Sequence, residues 1–138
     1  IARLRELVPD DVPLHALGVG HPESVRTCAQ LGYGLFDSAL PTRDARRGRL
    51  YCFRVDPASL GASGTEAWFD RCFVGDERYT KADRPLSEFC DALCCRRYTI
   101  AYLHHLHAVR DGLFARLATI HNLRFMTRLL EAPAARDG

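Results

Sequence analysis

Leu35-Phe36-Asp37-Ser38-Ala39-Leu40-Pro41-Thr42-Arg43 is the stretch on which the fold turns. Leu35, Phe36, Ala39 and Leu40 are apolar, so the run reads as a buried strand that Pro41 ends. Asp37 stands inside it, and an ionised carboxylate is expensive to bury without a partner or a task. Thr42 to Gly48 then reads as a basic, turn-rich loop. A carboxylate at a strand's C-terminal end, beside a cationic loop, is where a parallel α/β barrel keeps its chemistry. The plain alternative is a strand-end residue that caps the loop.

Upstream, Leu14–Leu17 reads as a short strand broken by Gly18-Val19-Gly20. His21-Pro22-Glu23-Ser24 opens a helix to about Leu31, with Pro22 in its first turn, and Gly32-Tyr33-Gly34 closes it. Strand, helix, strand is a βαβ unit, whose two strands are expected to be parallel neighbours. Ile1 to Leu7 reads as a helix with Ile1, Leu4 and Leu7 on one face. Downstream, Leu50–Val55 and Ala67–Val74 read as strands, and residues 56–65 as a loop. Residues 76–88 read as irregular, because Pro85 argues against helix. From about Arg96 the chain turns helical, with a break at Asp111-Gly112 and a second helix from Leu113 to about Glu131. Residues 132–138 are expected to fray.

A chain of 138 residues is long enough for one domain with a core of its own. Its net charge of +2 means that any affinity for a polyanion must come from a local basic patch. No apolar run approaches the roughly 20 residues of a membrane span, and no signal-peptide pattern is visible. Six cysteines without an export signal point to a cytoplasmic chain with reduced thiols or a metal. Ile1 rather than Met at the start reads as a fragment.

Cys90, Cys94 and Cys95 lie within six residues of one another, a crowding that suits a soft divalent metal. Tetrahedral zinc takes thiolates and imidazole. Of the candidate histidines, His104, His105 and His107 read as a solvated helix face. His121 lies among apolar residues on a helix expected to pack inward, where a lone histidine is commonly a hydrogen-bonded core residue. The cysteines favour a ligand there; free thiols are the alternative. Arg43, Arg46, Arg47 and Arg49 are either a solvated loop or a surface for nucleic-acid phosphates, which guanidinium binds bidentately.

Four stretches together resemble the C-terminal part of the tRNA-guanine transglycosylases (queuine tRNA-ribosyltransferases). They are Leu17-Gly18-Val19-Gly20 with Pro22-Glu23; Phe36 to Arg43 with Ala45-Arg46; Cys90 to Cys95 with Tyr98 and Ala101-Tyr102-Leu103; and Thr119 to Phe125. The interval of 26 positions from Cys95 to His121 agrees with the family's last thiolate and its histidine. The resemblance implies the C-terminal portion of a (β/α)8 TIM barrel with an inserted zinc-binding subdomain. Residues 1–50 would supply the last two βα units, 51–95 an irregular insertion with the cysteines, and 96–138 the closing helices.

The family exchanges guanine at the tRNA wobble position for a 7-deazaguanine, through an aspartate that attacks the ribose C1′. That nucleophile maps to Asp37, and a carboxylate suits an oxocarbenium-like centre. Leu17 and Gly18 map to the platform beneath the exchanged base. Contacts to tRNA map to Gly18, Val19, Gly20, His21, Pro22, Glu23 and Ser24, and to Thr42, Arg43, Asp44, Ala45 and Arg46. Structural zinc maps to Cys90, Cys95 and His121. The family's middle cysteine is replaced here by Ala92, and Cys94 is the spare thiol that stands as a fourth ligand. The family's general acid/base aspartate lies in the first half of the barrel, so activity would need that half in cis, from another chain or in a homodimer. The rival readings are a non-catalytic tRNA-binding subunit and a zinc-stabilised interaction module.

Overall fold

A computed structural model of the chain describes residues 2–60 and 67–132. In chain order it runs α1 (Ala2–Leu7), β1 (Leu14–Leu17), α2 (Pro22–Gln30), β2 (Tyr33–Asp37), α3 (Leu40–Arg46) and β3 (Arg49–Phe53). β4 (Phe69–Phe73), α4 (Leu93–Arg97), α5 (Ile100–Ala108) and α6 (Gly112–Glu131) follow. The result is a mixed α/β chain with two small sheets. Ile1, residues 61–66 of the expected loop and residues 133–138 of the expected frayed end lie outside the described residues.

β1 and β2 pair in parallel around α2, as the strand–helix–strand pattern predicts, and Leu17 stands opposite Asp37. Alternation along β1 turns Leu14 and Ala16 inward and His15 and Leu17 outward. β3 and β4 form an antiparallel pair with Tyr51 opposite Arg71. One long helix, α6, is the spine of the molecule. Its buried residues Phe114, Leu117, Ala118, His121, Asn122, Phe125 and Leu129 recur at helical spacing. Leu117 and Ala118 pack with Leu50, Val74 and Leu103 in one core cluster. Phe125 and Leu129 pack with Tyr51, Phe53 and Trp68 in a second, where Phe53 stacks on Phe125 with ring centroids 4.0 Å apart.

The opening stretch departs from its reading. The strand stops at Asp37, and the expected basic loop is the helix α3. Pro41 sits in the first turn of that helix, where its fixed φ and missing N–H are tolerated. Ser38 Oγ accepts a bond from the Leu40 amide at 3.1 Å, and Gly48 at φ 78 closes the far end. Arginine is a good helix former, so an Arg-rich run need not be a loop. Leu35 is 52% exposed and Asp37 is exposed, so this is not a buried strand. Leu4 and Leu7 of α1 are also exposed. His104 and His107 are half-buried, not solvated: His104 Nδ1 lies 2.8 Å from the Val74 carbonyl, and His107 packs against Phe73 and Phe114.

Candidate active cleft and metal centre

Asp37 ends β2, and β1 delivers two groups to its carboxylate. Gly18 N–H donates to Asp37 Oδ1 at 3.0 Å, from a backbone with φ 72 that favours glycine. His15 Nε2 lies 3.1 Å from the same oxygen. Both contacts fall on Oδ1; Oδ2 has no partner among the described residues. A carboxylate held by one oxygen and open at the other is oriented for attack on an electrophilic carbon. His15 escaped the sequence reading; the alternation of β1, which puts it on the outward face two positions before Leu17, was the available signal.

A cleft of about 310 Å³ adjoins this strand end. It is lined by Gly18, Val19, Gly20, His21 and Ser24 from the β1–α2 turn, and by Ser38, Leu40 and Arg43 from the other side. The two turns touch so closely that a Cβ at Gly20 would lie 2.3 Å from Ser38 Cβ. Arg46 is exposed and Thr42 half-buried, with its hydroxyl on the Ala39 carbonyl. Leu17 is 75% exposed. Three expected contact residues turn away: Pro22 and Ala45 are buried, and buried Asp44 accepts from Tyr51 Oη at 2.8 Å with Arg49 3.7 Å off. Glu23 accepts from Trp68 Nε1 at 2.7 Å.

The second centre forms where the cysteine loop meets α6. Ala92 caps α4, and its N–H points at Cys90 Sγ at 3.4 Å while its carbonyl accepts from Cys95 N–H at 2.9 Å. That turn brings Cys90 Sγ and Cys95 Sγ each to 3.4 Å from His121 Nδ1. The three donor atoms lie within 4.8 Å of one another, so the trio can hold a metal ion. His121 Nε2 lies 2.7 Å from the Tyr51 carbonyl, which can only accept, so Nε2 carries the proton and Nδ1 faces the sulfurs. Metal–donor bonds of zinc type require tetrahedral edges of about 3.5–3.8 Å, close to these separations.

Cys94 stands outside that trio but next to it, its Sγ 3.8 Å from Cys95 Sγ. The hydrogen bond from Cys95 pulls the Cys94 thiol down to about 6 against the opposing effect of burial. Cys90 moves the other way, up to about 12, through its bond with Cys95 and its burial. Arg124 of α6 anchors the loop by gripping Asp91 at 2.7 and 2.8 Å, which holds that carboxyl down at about 2.

The profile of the family described as Queuine tRNA-ribosyltransferase matches residues 1–134. The chain belongs to this family. It is 36% identical to the queuine tRNA-ribosyltransferase of Psychrobacter sp. (strain PRwf-1) over 126 residues, covering 91% of the chain and 30% of that relative. A putative queuine tRNA-ribosyltransferase of Archaeoglobus fulgidus is 37% identical over 125 residues, with 91% and 30% covered. That of Helicobacter pylori (strain P12) is 34% identical over 131 residues, with 95% and 31% covered. The chain thus spans about a third of the length of these curated relatives.

In this queuine tRNA-ribosyltransferase family member, one residue beside the histidine ties the two centres together. Asn122 is fully buried. Its Oδ1 accepts from the Tyr51 amide at 3.0 Å, and its Nδ2 donates to the carbonyls of Pro41 and Arg49, both at 3.0 Å. The first turn of α3 and the start of β3 are therefore fastened to the helix that carries His121. Asparagine 122 gave no periodic signal in the sequence, because a polar residue on an apolar helix face looks the same whether satisfied or not.

Proposed function

We propose that this chain is the C-terminal portion of a tRNA-guanine transglycosylase and completes a (β/α)8 barrel. On this reading residues 1–50 are its last two βα units, 51–95 a zinc-bearing insertion, and 96–138 the closing helices. The observation that carries it is the free Oδ2 of Asp37 beside a cleft that joins the β1–α2 turn to Arg43. In the reaction Asp37 Oδ2 bonds to the ribose C1′ of the wobble nucleotide as the C1′–N9 bond breaks and guanine leaves. The incoming 7-deazaguanine then attacks C1′ and releases the carboxylate. Gly18 N–H and His15 hold Oδ1 throughout, so the carboxylate need not reorient. Leu17 offers an apolar floor for the base, while Arg43, Arg46 and the backbone of Gly18–Ser24 receive the anticodon-loop phosphates.

Zinc suits the thiolate-imidazole set, and Cys90, Cys95 and His121 would hold it, with Cys94 as the fourth ligand in place of the cysteine that Ala92 lacks. Bound there it supplies a cross-link between the cysteine loop and α6 and takes no part in the chemistry. The remainder of the barrel, in cis or from a partner or second copy, would cover exposed Leu4, Leu7 and Leu35 and bring the acid/base group. No helix among the described residues is long and apolar enough to cross a membrane.

The test is RNA adduct formation on a denaturing gel, with this chain joined to the remaining barrel. Asp37→Asn should abolish the adduct while leaving tRNA affinity nearly unchanged. An adduct that survives Asp37→Asn overturns the nucleophile. No adduct with intact RNA binding would make the chain a tRNA-binding subunit. Affinity indifferent to Arg43→Glu and Arg46→Glu would leave a zinc-stabilised interaction module.

A further inference from the structure

A cavity of about 450 Å³ lies along the β3–β4 ribbon, and none of its lining residues belongs to the Asp37 cleft. Its wall carries four guanidinium groups, from Arg54, Arg71, Arg78 and Arg84, against the carboxylates of Asp70 and Glu88. Arg54 is committed to Asp70, with bonds of 2.5 and 2.8 Å. Arg78 reaches Asp76 at 3.4 Å and donates to Tyr79 Oη at 2.8 Å. Arg71 and Arg84 have no ion-pair partner among the described residues. The Tyr79 ring gathers two of the cations, with the Arg78 guanidinium carbon 4.7 Å and that of Arg84 6.0 Å from its centroid.

Like charges assembled around one ring repel unless an anion joins them. Guanidinium forks match the oxygens of phosphate better than any other common anion except carboxylate. The volume falls in the ~300–1,000 Å³ range of small-ligand sites, larger than a bare ion needs.

We propose that this cavity binds the phosphate of a nucleotide, with Arg71 and Arg84 as its cationic donors. The assignment stands on the cavity and not on the chemistry of Asp37. The phosphate comes either from an RNA backbone or from a free nucleotide, and the two sources are separable.

The experiment is calorimetric titration of the full chain with inorganic phosphate, adenosine 5′-monophosphate and an anticodon-arm RNA hairpin. Saturable binding of the nucleotide is expected, weakened about tenfold or more by Arg71→Ala or Arg84→Ala, with Arg116→Ala, an exposed change on α6 outside both sites, indistinguishable from the parent chain. If the same two changes also weaken the hairpin, the source is RNA; if they spare it, the source is a free nucleotide; both uphold the site. Nucleotide binding that does not saturate, or that ignores both substitutions, overturns it. Arg71 and Arg84 are exposed, so their truncation should leave the fold intact. The unaltered chain gives a second readout: guanidinium Nε–H resonances of Arg71 and Arg84 that do not shift on adding nucleotide also overturn the site.

Discussion

The Asp37 cleft and the Cys90–Cys95–His121 centre hold their functional groups by opposite means. Asp37 is exposed, sits at the end of a two-stranded sheet, and is fixed by one amide and one imidazole while Leu17 and Leu35 stand open beside it. His121 is 0% exposed, and both of its ring nitrogens have partners in the core. The cleft groups thus add little to the core, and the Cys/His cluster is part of it.

The largest effect should come from attacking the buried centre. Removing metal with a chelator, or making His121→Ala, should cost several kcal/mol of the roughly 10–16 that structural zinc contributes in small peptides, read as a fall in Tm alongside lost metal. An unchanged Tm after metal loss would break the contrast between the regions. Next is Asn122→Ala, which strips one acceptor and two donated bonds from buried backbone groups and should cost about 3 kcal/mol in denaturant unfolding. On the open side, Asp37→Asn or Leu17→Ser should stay within about 0.5 kcal/mol of the parent chain by the same measurement. A large loss there would mean that the cleft too is structural. The smallest effect belongs to the Arg124–Asp91 grip. The Asp91 carboxyl is depressed in the fold from its ordinary 3.8 to about 2, so its contribution is complete above pH 4 and is lost as pH falls towards 2. Asp91→Asn should remove only that part of the acid dependence, seen as a flatter stability profile between pH 4 and 2.

Residues whose burial follows their spacing were legible in advance. Of the apolar positions expected on the last helix, Leu117, Phe125 and Leu129 are buried while Ile120 is 39% exposed, and the cysteine crowding with His121 is drawn together into a cluster that could hold a metal. Pro41 misled, because proline marks both a strand's end and a helix's first turn, and only the bond from the Leu40 amide to Ser38 distinguishes them. Asp44 and Ala45 misled for a related reason. In a loop they would face a partner; on α3 the helical turn carries them inward while Arg43 and Arg46 stay outside. Asn122 was invisible because its value lies in a contact across the chain with Pro41, whereas His15, which meets Asp37, could have been found from the outward face of β1.

Gly20 sets the gauge of the cleft. Its missing side chain lets the β1–α2 turn rest directly on Ser38, the neighbour of Asp37. Because Asn122 of α6 holds the Pro41 carbonyl, the first turn of α3 is kept from retreating to make room. Even a methyl group at position 20 must therefore be absorbed by the β1–α2 turn itself, shifting Gly18 N–H away from the carboxylate it holds. The smallest residue in the cleft thus acts as a spacer that fixes how far the carboxylate stands from the turn that steadies it.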